Sequence, residues 1–475
     1  RVPRRSAARP WRQVRGRVTA PARRAAFHAL LAVTRGRADL GDALARARAD
    51  LDDERDRALT TGIVTGTLRL RGALDYQIER VLSRPLARLD PEVLAVLRLS
   101  AWQLLHLTRV PASAVVNDGV SLARAAGKSS AAGLVNAVLR KLAAARDTVE
   151  WPPRPEGPLS PGSRAAWRDW LAIVHSHPAW LVERWLDRYG LEATERWLAF
   201  DNETPPVTLA ANRARTTRDA LAEMLRAEGV ETRPLDRTEG GLEVVSGQPL
   251  QSAAFRDGLF IVQDEASQLI PSLVCAAGAG RVLDLCAAPG GKTLGLAADA
   301  GPDARVIACD VRARRVALLA ATLARAGADG VQVVRIPAHG PLPFEDGAFD
   351  RVLVDAPCSG LGTLRRDPDI RWRRTPEELP ALAAAQGELL ARAAPLVRPG
   401  GRLVYSTCSS EPDEDEAVVA AFLASDTRFA VLPLGELPGL PAAVGTLATG
   451  EGYLRTSPPR DGLEAFFGAV LARKL

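Results

Sequence analysis

The sequence predicts a multidomain protein with an all-α N-terminal bundle, a small α+β subdomain and a C-terminal α/β domain. Three observations predict this class. Apolar residues recur at helical spacing over residues 25–150, prolines cluster over 151–166, and short apolar runs alternate with helical segments over 251–475. Residues 167–250 mix both patterns. A length of 475 residues is enough for several domains of ordinary size.

Residues 1–24 are predicted to form a disordered basic arm. They hold nine arginines and no acidic residue, whereas the whole chain carries a net charge of +6. Because arginines displace counterions from phosphates, such an arm suits contact with nucleic acid. A solvated tail without a partner and a transit peptide are the alternatives.

The next three segments follow from periodicity and proline content. Residues 25–150 are predicted to be a helical bundle, and 151–166 a proline-rich linker that separates domains. In 167–250 the pattern is a helix followed by a strand, a helix and a strand. The last three are expected at Val207–Leu209, Thr217–Glu228 and Leu242–Val245.

The C-terminal segment alternates strands with helices, which predicts a parallel, doubly wound sheet. The expected strands are Arg281–Leu285, Arg305–Asp310, Gly330–Arg335, Arg351–Asp355, Arg402–Tyr405, Ala430–Leu432 and Glu464–Val470.

Composition narrows the classes of function. No apolar run approaches the roughly 18 residues of a membrane span, so no membrane partner is expected. The five cysteines form no CxxC pair and no zinc spacing, so we expect reduced thiols, no metal and a cytoplasmic location.

A loop of small residues follows the first strand of this segment and predicts a cofactor site. It consists of Cys286, Ala287, Ala288, Pro289, Gly290, Gly291, Lys292 and Thr293. Small residues let a ligand approach backbone amides at a helix N-terminus, and Asp310, at the end of the next strand, can accept hydrogen bonds from a ribose diol. The spacing indicates an adenosine ligand.

Two rival nucleotide motifs fit this loop less well. Gly291-Lys292-Thr293 resembles the end of a phosphate-binding Walker loop, but Cys286 occupies the position of that motif's first glycine. The GxGxxG fingerprint of nicotinamide enzymes is absent. A purely structural turn explains a pair of glycines but not the acid and the thiols that accompany it.

Two cysteines lie in nearly identical settings. Cys358 ends the run Asp355-Ala356-Pro357-Cys358, and Cys408 ends Tyr405-Ser406-Thr407-Cys408. Each follows a predicted buried strand, and ligands of open α/β sheets bind outside the carboxyl ends of the strands. We therefore expect the two thiols to share one cleft. The alternative is that both are small buried hydrophobic residues.

These motifs resemble a known family. VLDLCAAPGGKT, DAPCSG and YSTCSS together are similar to the S-adenosylmethionine-dependent RNA 5-methylcytosine methyltransferases. Segments around Leu97–Leu107, Ala114–Asn117 and Gly133–Arg140 resemble the NusB-like RNA-binding fold. The combination resembles the bacterial small-subunit rRNA cytosine-C5 methyltransferase B (Sun/Fmu) family. The resemblance implies a Rossmann-like catalytic domain, a 16S rRNA substrate, no DNA partner and a monomeric enzyme of rRNA processing.

The resemblance also implies roles for the site residues. Cys408 is the nucleophile that adds to carbon 6 of cytosine, and Cys358 serves product release or acts as a base. Asp355 and Lys292 belong to the catalytic site and, with Asp310 and the loop 286–291, contact S-adenosylmethionine. The residues alone do not rank the two cysteines, because DNA cytosine methyltransferases use a Pro-Cys nucleophile. A solvated Lys292, a tRNA substrate and a non-catalytic RNA-binding protein remain alternatives.

The chain departs from the family pattern at two places. The region after the third strand, Arg335–His339, has no acidic residue to contact adenine. Leu209–Asn212 lacks the arginine that is common in the family. The first departure predicts either that backbone groups recognise the adenine or that cofactor affinity is weaker. The second predicts the loss of one RNA contact, for which the arginine-rich arm can compensate.

Overall fold

A computed structural model describes residues 19–475, and the chain divides into two compact units. Of the described residues, 19–202 and Asp367–Arg373 form the first unit, and Glu203–Arg366 and Arg374–Leu475 form the second. The predicted basic arm lies largely outside the described residues.

The helices follow from apolar periodicity and from caps such as Asp39 and Asp264, whose side chains accept hydrogen bonds from backbone N–H groups of the first turn. The helices of the described residues are α1 (Pro21–Thr34), α2 (Leu40–Ala49), α3 (Glu54–Arg69), α4 (Arg71–Val81), α5 (Pro91–His106), α6 (Ala112–Ala125), α7 (Ala132–Ala145), α8 (Arg164–Val174), α9 (Ala179–Phe200), α10 (Arg218–Ala227), α11 (Ala253–Arg256), α12 (Glu265–Val274), α13 (Gly291–Ala300), α14 (Ala313–Ala326), α15 (Ile370–Arg373), α16 (Leu379–Ala393), α17 (Glu416–Ser425), α18 (Ala442–Gly445) and α19 (Pro458–Asp461).

The strands of the described residues are β1 (Thr208–Ala211), β2 (Glu231–Pro234), β3 (Gly241–Ser246), β4 (Phe260–Val262), β5 (Arg281–Asp284), β6 (Arg305–Asp310), β7 (Gln332–Arg335), β8 (Phe349–Asp355), β9 (Val397–Thr407), β10 (Phe429–Val431), β11 (Leu454–Arg455) and β12 (Phe467–Arg473).

The first unit is the predicted helical bundle. Its core is formed by fully buried apolar residues such as Phe27, Ile63, Val96 and Leu139. The start of α1 corrects the predicted extent of the arm, because residues 21–24 are helical. The buried Arg23 explains the difference, since its guanidinium donates to Gln103 Oε1 at 2.6 Å and to Asp118 Oδ2 at 2.6 Å.

The first unit also extends further along the chain than predicted. Helix α8 begins at Arg164, inside the predicted linker, and α8 and α9 belong to this unit rather than to the α+β subdomain. The rings of Trp185 and Trp197 lie 4.7 Å apart within it. The segment 367–373 joins this unit through Arg371, which is buried and donates to the Asp201 carbonyl oxygen at 3.0 Å.

The predicted α+β subdomain contains a four-stranded antiparallel sheet in the order β2-β3-β1-β4. Helix α10 packs on it through Leu221 and Leu225. Strand β4 lies beyond the predicted boundary at residue 250, because Phe260 belongs to the core of this sheet.

The larger sheet has the order β10-β12-β9-β8-β5-β6-β7, with β11 paired to β12. The pairs among β5, β6, β7, β8 and β9 are parallel, as predicted. The pairs β9-β12 and β12-β10 are antiparallel, so the predicted parallel arrangement holds for β5 to β9 but not for β10 and β12. The helices in the connection from Val431 to Phe467 are all short, and β11 also lies there, whereas a parallel crossover usually needs a full helix.

Two kinds of feature are absent from residues 19–475. No described helix is both long and apolar enough to span a membrane. These residues also contain no group of three or more His, Cys, Asp or Glu side chains able to hold a metal ion.

Candidate active site

The two cysteines with similar sequence settings come together in the second unit. Strands β8 and β9 are parallel neighbours in which Asp355 pairs with Ser406, so both chains leave the sheet at the same edge. The Sγ atoms of Cys358 and Cys408 lie 3.4 Å apart. Both are free, half-buried thiols. Either sulfur can donate to the other at this distance.

A buried hydrogen-bond network fixes the positions of the two thiols relative to each other. The residue after each cysteine is a serine, and the hydroxyl oxygens of Ser359 and Ser409 lie 3.2 Å apart. The carboxylate of Glu414 accepts from the Ser359 N–H at 2.8 Å and from the Ser409 hydroxyl at 2.6 Å. Because Glu414 is fully buried, these bonds are not exchanged for water. The network therefore fixes the spacing of the sulfur atoms.

The loop after Cys358 is fastened to the same site. The Gly362 N–H donates to the Cys408 carbonyl oxygen at 3.0 Å. Arg374 Nε donates to the Ser359 carbonyl oxygen at 2.8 Å. A Cβ at Gly362 would clash with the carbonyl oxygen of Ala465 and lie 2.8 Å from that of Cys408. Glycine at 362 therefore permits this close approach of backbones.

A partly buried ion pair lies next to the thiols. Lys292 Nζ donates to Asp355 Oδ2 at 2.7 Å, and the Ser406 hydroxyl donates to Asp355 Oδ1 at 2.8 Å. Burial lowers the pKa of Lys292, but the charge and hydrogen bond of Asp355 outweigh it, so the net pKa is raised. A negative charge on Cys408 contributes to the same rise, which places the ammonium group within electrostatic range of that sulfur. The side chain is also 5.5 Å from the ring centroid of Phe466.

The predicted cofactor loop lines a cleft of about 380 Å³ beside this ion pair. Its turn requires Gly290, whose φ of 113° is unfavourable for other residues. The lining includes Cys286, Ala287, Ala288, Pro289, Gly291, Lys292 and Asp355.

The cleft also contains Asp284, which we did not predict as a site residue. Burial raises its pKa to about 7, opposed by a hydrogen bond from the Thr293 hydroxyl. Asp284 Oδ1 makes no hydrogen bond of normal geometry to the described residues. Its place two residues before Cys286, at the end of β5, was the available signal in the sequence.

Asp310 is not among the residues that line the cleft. Its carboxylate accepts from Arg315 Nε at 2.8 Å and from the Arg312 N–H at 3.2 Å. Arg315 also donates to the Ala288 carbonyl oxygen at 2.6 Å, so Asp310 connects to the loop through an arginine. Asn212, in the segment where the resemblance led us to expect an arginine, is buried and donates to two backbone carbonyl groups.

Comparison with known proteins decides the family. A family model described as 16S rRNA methyltransferase RsmB/F matches residues 276–472. The Bacillus subtilis protein named probable ribosomal RNA small subunit methyltransferase B is 33% identical over 426 residues, 89% of this chain and 91% of that protein. The chain belongs to the 16S rRNA methyltransferase RsmB/F family. The family prediction is thus confirmed.

Other members and domains agree with this assignment. The RsmB/F relative from Pseudomonas putida, ribosomal RNA small subunit methyltransferase B, is 36% identical over 420 residues, 88% of this chain and 92% of that one. A solved structure, that of PH0851, has a TM-score of 0.78 at 26% identity and covers 95% of this chain and 98% of that chain. The NusB family model matches 20–144, and an RsmF/B-like ferredoxin-like domain model matches 177–251.

RsmB/F proteins are S-adenosylmethionine-dependent methyltransferases, which confirms the predicted enzyme class and cofactor. The residues present fit this cofactor. The small residues 286–291 leave room beside the backbone, and a Cβ at Gly291 would lie 3.0 Å from Ile261 Cδ1. Asp284 Oδ1 offers an unused acceptor to an ammonium group. When bound, S-adenosylmethionine supplies an electrophilic methyl group.

Proposed function

We propose that this protein methylates carbon 5 of a cytosine in 16S rRNA, with Cys408 as the nucleophile and Cys358 as the group that completes product release. The observation that carries the proposal is the 3.4 Å separation of two reduced thiols at adjacent strand ends. Carbon 5 of cytosine is a weak nucleophile, and addition of a thiolate to carbon 6 activates it. A thiolate suits this chemistry because it both adds and leaves readily.

The surroundings of the two sulfurs support this division of roles. The hydrogen bond with Cys408, together with burial, raises the pKa of Cys358 well above the ordinary thiol value, so Cys358 keeps its proton at rest. Cys408, within electrostatic range of the Lys292 ammonium group, attacks carbon 6 and forms the S–C6 bond. The pair of electrons released from the C5=C6 bond makes carbon 5 nucleophilic, and these electrons would form the bond to the methyl group that S-adenosylmethionine would supply. Lys292 and Asp355 hold the base by hydrogen bonds at its polar edge.

Product release reverses the covalent step. Once Cys408 is a thioether, it no longer contributes the hydrogen bond and charge that raise the pKa of Cys358, whereas burial and Glu414 still do. The pKa of Cys358 therefore falls in the adduct, and Cys358 can release its proton to water. The Cys358 thiolate then takes the proton from carbon 5. The electrons of that C–H bond form the C5=C6 double bond, the S–C6 bond breaks, and Cys408 leaves as a thiolate. Cys358 returns to the protonated state that hydrogen-bonds Cys408.

The substrate is inferred from the family and the domains. Relatives that match nearly the whole chain are named ribosomal RNA small subunit methyltransferase B. The NusB-like first unit supplies a second RNA-binding surface. The target cytosine must leave any base stack to reach the thiols. We propose action as a monomer in the cytoplasm.

The test uses 16S rRNA transcribed with tritium at carbon 5 of cytosine. Each turnover releases one carbon-5 proton, so tritium in the solvent measures catalysis. Cys408→Ala should abolish release, whereas Cys358→Ala should accumulate a covalent RNA–protein adduct. Cys309→Ala, which removes a buried thiol of the same unit, is the matched control and should keep activity. Full activity of the Cys408→Ala protein would overturn the proposal. Bisulfite sequencing of the products then locates the modified position.

A further inference from the structure

A second cavity of about 430 Å³ lies in the same unit, away from the thiols. It is bordered by the C-terminal end of α12, by α13, and by residues of the small sheet and of the segment 438–444. Ile261, Gln263 and Gly291 line both this cavity and the cofactor cleft, so the two share a wall.

Two arginines enter this cavity side by side. Arg351 of β8 and Arg402 of β9 are direct partners in the parallel register, and both line the cavity. Side chains two residues apart in a strand share a face. Leu353 and Val404, two residues further on, pack into one core cluster with Leu269 of α12, so both arginines lie on the α12 face of the sheet.

The arrangement is unfavourable without a ligand. Like charges directly opposite each other in a sheet repel. Burial, followed by the charge of Arg402, lowers the pKa of Arg351, which agrees with that repulsion. Among the described residues, neither arginine has a carboxylate within ion-pair distance, whereas Arg213 on the same cavity pairs with Asp299 at 2.6 Å.

The contacts within the protein use few of the available donors. Arg351 Nε donates to the Cys275 carbonyl oxygen at 3.4 Å, and its Nη1 donates to the Asp350 carbonyl oxygen at 2.9 Å. Arg402 interacts with the Cys275 thiol. Each guanidinium carries five N–H donors, in a geometry that matches phosphate oxygens.

We propose that Arg351 and Arg402 bind a backbone phosphate of the RNA substrate, outside the site that receives the target cytosine. The proposal rests on the proposed function for the identity of the polyanion. One phosphate between the two guanidinium groups would remove their repulsion and accept bidentate hydrogen bonds. The cavity adjoins the cofactor cleft, with which it shares Ile261, Gln263 and Gly291, so a phosphate bound here would belong to a part of the RNA next to the catalytic site.

The test compares two double variants. Arg351→Gln/Arg402→Gln removes the pair. Arg281→Gln/Arg305→Gln is the matched control, because those arginines are also register partners at the amino ends of parallel strands but are exposed and do not line the cavity. Binding of 16S rRNA transcribed in vitro is measured over a series of potassium chloride concentrations. The magnitude of the negative slope of log affinity against log salt concentration should decrease by roughly 1 more in the cavity variant than in the control.

Further arms separate the other outcomes. Arg351→Lys/Arg402→Lys keeps the charge and should restore most of the slope, and S-adenosylmethionine affinity should match wild type in every variant. An unchanged slope with a lowered melting temperature would mean that the arginines only cap α12, and would overturn the proposal. If inorganic phosphate stabilises the wild-type protein but the salt slope of RNA binding is unchanged in the glutamine variant, the site binds a small anion, and the proposal is overturned as well. RNA binding is measured without turnover, so the role of the two arginines is tested even if the protein does not methylate the RNA.

Discussion

Replacing Lys292 by methionine tests whether the ion pair beside the thiols is a buried, mutually dependent unit. The side chains of Lys292 and Asp355 are 14% and 24% exposed, and their charged atoms lie 2.7 Å apart. Removing one partner of a buried pair costs about 3–5 kcal/mol, because the other charge stays buried. Asp355 keeps some contact with water and the hydrogen bond from Ser406, so we expect the lower end, about 3 kcal/mol.

The assay must report on the second unit alone. All the described tryptophans belong to the first unit, so intrinsic fluorescence does not follow the second. Cys309 is fully buried in β6 and reacts with a thiol reagent only when that unit opens. Its rate of labelling, measured by peptide mass spectrometry, gives the free energy of opening.

A double variant distinguishes a lost pair from a packing defect. Asp355→Asn removes the charge that Lys292→Met leaves unpaired, so Lys292→Met/Asp355→Asn should be more stable than the sum of the single changes by about 1–3 kcal/mol. If the Lys292→Met protein opens with nearly wild-type free energy, or if the two changes are additive, the reasoning about this pair is refuted.

Three further predictions concern neighbouring groups. Gly362→Ala should destabilise the second unit by about 1–3 kcal/mol in the same labelling assay, because its Cβ meets two carbonyl oxygens, whereas Gly387→Ala in α16 has open space and should be neutral or stabilising. Asp284→Asn should flatten the pH dependence of the free energy of opening. Between pH 3.8 and about 7 the folded state keeps a proton on Asp284 that the unfolded chain has lost, so the contribution of Asp284 to wild-type stability declines as pH rises through that window. An unchanged pH profile in the variant would contradict the raised pKa. Glu414→Gln should lower kcat and slow adduct formation while cofactor affinity stays the same, because it weakens the bonds from Ser359 and Ser409; a change in cofactor affinity alone would argue against this role.

The residues that the sequence could predict are those in local motifs. The loop 286–292 follows its strand directly, and Cys358 and Cys408 each follow a strand, so their placement at one sheet edge depends only on the α/β pattern. Two of the predictions that the structure corrects had no local signal in the sequence. Strand β12 is antiparallel to β9 because of the long connection that precedes it. Helix α1 begins at residue 21, where Arg23 bonds to partners about 80 and 95 positions away.

Other features of the site arise only from long-range contacts. Glu414 accepts a hydrogen bond from Ser359, which lies 55 positions away in the chain. Phe466, the residue before β12, packs beside Lys292. Asp310 stands at the predicted strand end, but its pairing with Arg315 was not predictable from the motif. Its role toward the cofactor ribose therefore stays a prediction.

The most direct test of the central claim is to identify which sulfur carries the base. RNA containing 5-fluorocytosine traps the adduct, because carbon 5 then has no proton to lose. Arg365 and Arg402 lie between the two cysteines, so trypsin places them on separate peptides. We predict that, after incubation with S-adenosylmethionine and digestion, the nucleotide is attached to the peptide that contains Cys408. Attachment to the peptide that contains Cys358, or no adduct on either, would contradict the assignment.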